Sequence, residues 1–307
     1  MEKNINFLYC FDTNYNTQAF TSMISLLKNT SRKINIYVIH NEDNFQSKVP
    51  NQILDHKNLI FFKSYKFTDY KHDFPNIKNV HISVATYFRL FIKNYLPEEE
   101  KFFVFLDPDV ICIQDPMYEI ENTFKRMNNT EFTVSANTEH DLGVDRINVS
   151  GKYFNAGVMI IDFDKWQRNN YHEKLIKKLK DLKNNIVQWD QDVLNSLLNG
   201  KYLELENIMN FKAATKVDRA YKSKVLFVHY MGSHKPWLTS GIFQKDSNFY
   251  HDNFRTFAGK NFHIEHKWRL RSMVDFILAI FTLRILRINK TLVFIFEFVA
   301  SFINNKN

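Results

Sequence analysis

A chain of 307 residues, 45% hydrophobic and 16% aromatic, is long enough to bury the core of one large domain or two smaller ones. With only 7 Gly and 6 Pro against 30 Phe and 14 Tyr, the composition excludes a disordered or fibrous chain. The net charge of +8 favours anionic partners, whether phosphorylated substrates, anionic lipid or nucleic acid, without choosing among them.

Ile5 to Phe11 reads as a first strand, closed by the short polar side chains of Asp12, Thr13 and Asn14. Phe20, Met23, Ile24 and Leu27 then repeat at helical spacing, and Ile34 to Ile39 is a second strand. This strand, helix, strand order opens an α/β domain with a nucleotide-type crevice. The first glycine of the chain is Gly143, so the first half carries neither a dinucleotide fingerprint nor a Walker loop. Cys10 and Cys112 lie in separate apolar segments without Cys-x-x-Cys spacing, and two buried reduced thiols are expected. The MEKNINFLYCF terminus has no signal-peptide core, which makes cytoplasmic residence the default.

Leu59 to Phe62 is a short strand, and Lys63 to Asn79 is expected to loop over the site. Ser83 to Leu90 returns to a helical pattern with Arg89 among apolar neighbours, where it either snorkels or meets an anion. Phe102 to Leu106 is an uninterrupted apolar run, the kind buried on both faces of a mainly parallel sheet. Asp107 and Asp109 follow at once around Pro108, where such strands leave the core and α/β folds bind ligands. Two carboxylates this close point to a divalent metal; the alternative is an ordinary polar turn.

Phe132 to Ala136 and Tyr153 to Phe163 are further strands, the latter with Asn155 and Gly157 at its start. Gly157 either shapes a bulge or allows close approach by a ligand. A solvated helix, Tyr171 to Leu182, precedes a second one, Trp189 to Leu198. Asp190, Gln191 and Asp192 stand in the first turn of the latter, where carboxylates either suit the helix dipole or face a sugar. Val225 to Val228 is a strand, and HYMGSHKPW follows. His229 is either a core histidine or a metal ligand, with Gly232 and Lys235 suited to a phosphate.

From Lys260 to Lys290 basic residues alternate with Trp268, Leu270, Met273, Phe276, Phe281 and other large apolar side chains; Leu292 to Ile303 is apolar around Glu297. These stretches are too short or too charged to span a bilayer. They suit helices at an anionic membrane surface, or a helical cap or dimer contact. The expected division is a catalytic domain over 1–260 and a basic amphipathic tail over 261–307. Because basic residues concentrate in the tail, no nucleic-acid partner is expected.

The series LYCFDTNY, HISVATYFRL, FLDPDV, YFNAGVMIIDFDKW, WDQDVLN and HYMGSHKPW resembles family 8 glycosyltransferases, especially bacterial lipopolysaccharide and lipooligosaccharide galactosyl- and glucosyltransferases. The resemblance implies a GT-A nucleotide-sugar-binding α/β fold with a mixed, mainly parallel sheet. It implies retention of the donor's anomeric configuration and a divalent cation, Mn2+ or Mg2+, held by Asp107, Asp109 and His229. Cys10, Asp12, Asn14 and Tyr15 match the loop that holds uracil and ribose; Gly232 and Lys235 match the diphosphate loop. Arg89 stands near the donor, Asn155, Ala156, Asp190 and Gln191 face the transferred sugar, and His81 lies near the acceptor. Gln191, Asp190, Arg89 and Asn155 are the catalytic candidates. Pro108, between the two ligands, stiffens the turn. The family's sugar-contacting Asp has no clear counterpart in SANTEH, where Glu139 approximates it.

The function implied is transfer of galactose or glucose from a uridine diphosphate (UDP) sugar to a lipid-linked saccharide. Its place would be the inner face of the bacterial cytoplasmic membrane. The competing reading is a membrane-associated nucleotide-sugar-binding protein without turnover. A glycosidase is disfavoured because the leading carboxylates have chelating spacing.

Overall fold

The computed structural model describes residues 4–75, 83–139, 147, 149, 152–183 and 185–304. His81 lies outside them. Ten strands are present among these residues: β1 (Ile5–Phe11), β2 (Ile34–His40), β3 (Leu59–Lys66), β4 (Phe102–Leu106), β5 (Val110–Cys112), β6 (Val134–Thr138), β7 (Phe154–Asp162), β8 (Leu203–Glu204), β9 (Phe211–Lys212) and β10 (Phe227–His229). Seven form one sheet in the order β3-β2-β1-β4-β7-β6-β8. Every neighbour pair in it is parallel except the two that β7 makes with β4 and β6. The mixed, mainly parallel sheet expected from the sequence is therefore present.

The central strands β1, β2, β4 and β7 are buried on both faces, which is why they read as largely apolar runs, while β3 at the edge is partly exposed. Along β1, Leu8 and Cys10 enter one core while Phe7, Tyr9 and Phe11 enter the other, the alternation a pleated strand imposes. The helix Asn16–Asn29 covers the second face with Ala19, Phe20, Met23, Ile24 and Leu27. The first face is covered by the segment Val84–Asn94 and the helices Tyr171–Leu182 and Trp189–Leu198. Both cysteines are buried and free, as expected.

Several boundaries differ from the sequence reading. Val84–Asn94 is a run of 3-10 turns, started by Ser83, whose Oγ accepts the Ala85 N–H at 3.2 Å. In this tighter winding every residue from Tyr87 to Ile92 is buried. Strand β3 runs to Lys66, so the loop after it begins at Phe67, and β10 ends on His229 instead of before it. Strand β5 and the helices Met117–Asn128 and Ser247–Phe254 have no counterpart in that reading. Three residues are too few to show a period, and Met117–Asn128 buries only Met117, Ile120, Thr123 and Met127 among charged neighbours.

A second sheet, β5-β10-β9, leaves the main one directly after β4. The helices Arg269–Phe281 and Thr291–Asn304 follow it. With the 3-10 turn Arg284–Arg287 between them, they bury Ala279, Ile285, Phe294 and Phe298 against Ile242, Phe243 and Phe262, so the tail does cap the body. Glu297 accepts the backbone N–H groups of Asn261 and Phe262 at 3.1 and 2.9 Å. Among the described residues no helix is long and apolar enough to cross a membrane.

Candidate active site

Asp107 is the first residue after β4, and its N–H donates to Gly157 O of β7 at 2.8 Å. Two residues on, Asp109 precedes β5, whose Val110 pairs antiparallel with His229 of β10. That ladder carries a histidine from far along the chain to the turn holding the two carboxylates. The three side chains offer ligand atoms that all lie within 4.8 Å of one another. Each carboxylate commits one oxygen to a cation: Asp107 Oδ1 accepts from Arg89 at 2.8 Å, and Asp109 Oδ2 accepts from Lys235 in a short contact. Their other oxygens face His229 Nε2, 3.4 Å from Asp109 Oδ1 and 4.0 Å from Asp107 Oδ2. Two carboxylate oxygens and one imidazole nitrogen form a donor set that fits Mn2+ or Mg2+. Burial alone would raise the Asp109 carboxyl, but Lys235, joined by His229 when its ring is protonated, outweighs it and holds the group well below the usual carboxylate range.

Gly157 admits close approach, as its position in the sequence allows, but what approaches is His229. A Cβ built there would fall 2.1 Å from its Cε1 and 2.7 Å from its Nδ1, too close for any side chain.

Arg89 is 4% exposed and does not snorkel. It stacks its guanidinium over Phe105 at 4.1 Å, donates to Asp107 Oδ1 and Ala156 O, and lies 2.8 Å from Asp190 Oδ2. The Arg89 Nε–H points to Thr86 O at 3.2 Å, so the contact with Asp190 is an ion pair and Asp190 Oδ2 accepts no hydrogen bond. Burial raises the Asp190 carboxyl to about 6, with Arg89 and the Thr86 hydroxyl opposing and Asp107 adding to the rise. Asp190 and Asp192 part company. Asp190 faces the cleft, whereas Asp192 accepts from Tyr153 Oη and from the N–H groups of Val187 and Gln188, all at 2.8 Å. Trp189, at φ 46°, is held in the left-handed region at the turn that presents Asp190 and Gln191.

Gln191 Oε1 accepts the Ala156 N–H at 3.0 Å, and its amide nitrogen faces Tyr153 Oη at 3.3 Å and Glu139 Oε2 at 3.4 Å. Asn155 spends its polar atoms on the protein: Oδ1 accepts from Gly157 N and Asn210 Nδ2, and Nδ2 donates to Glu139, all at 3.0 Å. The cleft wall brings together Cys10, Tyr15, Pro108, Ala156, Gly232 and Lys235 with the groups above. Gly232 has φ +74°, the left-handed turn that its missing side chain favours. Asp12 instead caps the turn Thr13–Tyr15, accepting from Asn14 N, and Asn14 lines an adjoining cavity that also meets Tyr15 and Lys235. Sequence reasoning missed Thr86, whose hydroxyl bonds Asp190, and Asn210, which bonds both Asn155 and His229. Nothing in their local sequence marks either one; only tertiary contact does.

This fold and site define a glycosyltransferase-type cleft at the carboxyl ends of parallel strands. The chain belongs to glycosyl transferase family 8, whose model matches residues 6–241. It is 30% identical over 259 residues to a lipopolysaccharide 1,2-glucosyltransferase of Escherichia coli, covering 78% of this chain and 74% of that protein. A putative glycosyltransferase of Haemophilus influenzae is 28% identical over 253 residues, 76% of this chain and 73% of that one. Among solved structures, the galactosyltransferase LgtC in complex with donor and acceptor sugar analogs superposes with a TM-score of 0.68 at 21% identity. It covers 86% of this chain and 99% of that one. The fold is thus GT-A-like, as the resemblance implied.

Proposed function

We propose that this protein is a metal-dependent, retaining hexosyltransferase that moves galactose or glucose from a UDP-sugar to a lipopolysaccharide or lipooligosaccharide acceptor. The observation that carries the reading is the convergence of Asp107, Asp109 and His229 at the floor of a cleft walled by Arg89, Asp190 and Gln191. The names of the relatives support the acceptor class.

In this reading Asp107, Asp109 and His229 hold a divalent cation, which supplies positive charge against the donor diphosphate. Lys235 adds a buried cation beside Asp109, and Gly232 offers backbone in the diphosphate loop. Tyr15 stacks on uracil while Cys10, Asp12 and Asn14 shape the nucleoside end. Asp190 Oδ2, buried and without a hydrogen-bond donor, accepts from a sugar hydroxyl. Gln191 has its oxygen tied to the Ala156 N–H, and an amide is in any case a poor nucleophile. Front-face attack by the acceptor hydroxyl, with the departing phosphate taking the proton, therefore fits better than a sugar–Gln191 adduct.

Residues 261–307 are read as the attachment to an anionic membrane surface at the inner face of the cytoplasmic membrane. Beyond the face that caps the body, the tail exposes Trp268, Leu270, Phe281, Leu283, Leu286, Leu292 and Phe296. A cavity of about 410 Å3 beside them is lined by Lys267, Arg271 and Arg284 together with Glu265 and Asp275, the last paired with Arg271 at 3.2 Å, so Lys267 and Arg284 are the cations offered to lipid phosphates.

The test is UDP release from a panel of UDP-hexoses, with and without Mn2+, for wild type and an Asp107→Ala/Asp109→Ala variant. Turnover of one sugar that needs both metal and carboxylates is expected. Nucleotide-sugar binding without release, in folded protein supplied with acceptor extract, would favour the non-catalytic binding reading.

A further inference from the structure

The hydrogen bonds behind the metal cluster fix which nitrogen of His229 carries its proton. The Gly157 N–H, a donor with no ambiguity, meets Asn155 at 3.0 Å. The atom it meets must be the oxygen of Asn155, and the Asn155 amide nitrogen then points to the Glu139 carboxylate, also at 3.0 Å. The same Asn155 oxygen lies 3.0 Å from Asn210. An oxygen already serving as acceptor can meet only a donor there, so Asn210 presents its NH2 group. The Asn210 oxygen is left facing His229 Nδ1 at 2.9 Å, and it can only accept. The neutral imidazole must carry its proton on Nδ1 and keep the Nε2 lone pair toward Asp107 and Asp109.

We infer that Asn210 is a positioning residue for metal binding: with Asn155 behind it, it sets the tautomer and ring orientation of His229, presenting a bare Nε2 to a divalent cation. The inference rests on the metal reading proposed above. Asn210 is 3% exposed and His229 4%, so water does not offer an equivalent partner for Nδ1. The ring is also held by Gly157, which leaves no room for a side chain behind it. A partner of this kind on the non-ligating nitrogen fixes a metal-binding histidine and raises its basicity; its loss typically costs about 10–100-fold in metal affinity. Glu139 and Gln191, which lie 3.4 Å apart, extend the same network toward the wall of the sugar site.

The experiment has a spectroscopic arm and a binding arm. Protein labelled with 15N-histidine is examined metal-free, at a pH where the ring is neutral, with His229 assigned by its absence in His229→Gln. Proton on Nδ1 is expected in wild type and in Asn210→Asp, which keeps an acceptor, and a mixture of tautomers in Asn210→Leu. Electron paramagnetic resonance of free Mn2+ should then show affinity about 10–100-fold weaker in Asn210→Leu, with a smaller loss in Asn210→Asp. A His229 proton on Nε2 in wild type, or wild-type Mn2+ affinity in folded Asn210→Leu, overturns the inference. Should Asn210→Leu fail to fold, the wild-type spectrum and Asn210→Asp decide. Wild-type protein that binds no divalent cation overturns the metal reading and this inference with it, while Mn2+ binding with the wrong tautomer overturns the inference alone.

Discussion

Gly157 and His229 pack so closely that a Cβ on the glycine would fall 2.1 Å from the imidazole Cε1. The contact joins the main sheet to the small one, because Gly157 belongs to β7 and His229 to β10. Gly157→Ala must therefore push the ring out of line with Asp107 and Asp109. The expected result is a loss of Mn2+ affinity of about tenfold or more, with about 1–3 kcal/mol of destabilisation from overpacking. A titration of Mn2+ alongside urea unfolding measures both, and unchanged Mn2+ affinity would show that the ring tolerates displacement.

The Asp109–Lys235 pair is buried on both sides. Removing one partner leaves an uncompensated charge, so Lys235→Met should cost about 3–5 kcal/mol without metal. Added Mn2+ should restore more stability to Lys235→Met than it adds to wild type, since the cation would compensate the stranded carboxylate. Thermal melts of both proteins across an Mn2+ series provide the check, and equal increments would count against cation binding at Asp109.

Asp190 makes stability depend on pH in a direction opposite to an ordinary salt-bridged carboxylate. Its folded carboxyl is raised to about 6 from a reference of 3.8, so over that window the folded state binds the extra proton. Stability contributed by this group falls as pH rises through the window, and the penalty is complete above about 6. Asp190→Asn should therefore gain on wild type between about pH 4 and pH 7, by at most on the order of 3 kcal/mol. The Arg89 charge, left with Asp107 alone, subtracts from that gain. Paired urea titrations at each pH test it, and a stability difference that stays flat across the window would remove the basis for the prediction.

The tail has one face in the core and another in solvent, and the two should separate experimentally. Leu270, Phe281 and Phe296 are 78%, 81% and 75% exposed. Replacing all three with Glu should abolish co-sedimentation with anionic vesicles while each change moves stability by no more than about 0.5 kcal/mol. Truncation at Asn261 should instead destabilise the body. It removes Phe262, whose ring meets Phe294 at 5.1 Å in the cluster that also buries Ile242 and Phe243. Undiminished vesicle binding by the triple Glu variant would reduce the tail to a cap.

Much of this molecule is written in local pattern. The double burial of β4 shows in its unbroken apolar run, and β1 and β2 are apolar apart from Asn6, Asn35 and His40, because a strand covered on both faces has few positions for polar side chains. Asp107 and Asp109 are legible because a charge pair directly after such a run needs a compensating cation. The order of the motifs was enough to place the chain in its family. Short elements were not legible: β5, with three residues, is too short to repeat a pattern, and the 3-10 winding of Val84–Asn94 differs from an α-helix in a twist that apolar spacing does not record.

What the sequence by itself determined, then, is the mixed, mainly parallel sheet and many of the side chains that gather in the cleft. Only the tertiary structure decided their partnerships. Arg89 became a buried bridge between Asp107 and Asp190, Asp192 left the site to fasten the residues before its helix, and Asn210 came to stand behind His229. The reason is physical: side-chain hydrogen bonds and ion pairs act over about 3 Å in space regardless of separation along the chain. The β5–β10 ladder closes that separation for residues about 120 positions apart, and no local pattern encodes it.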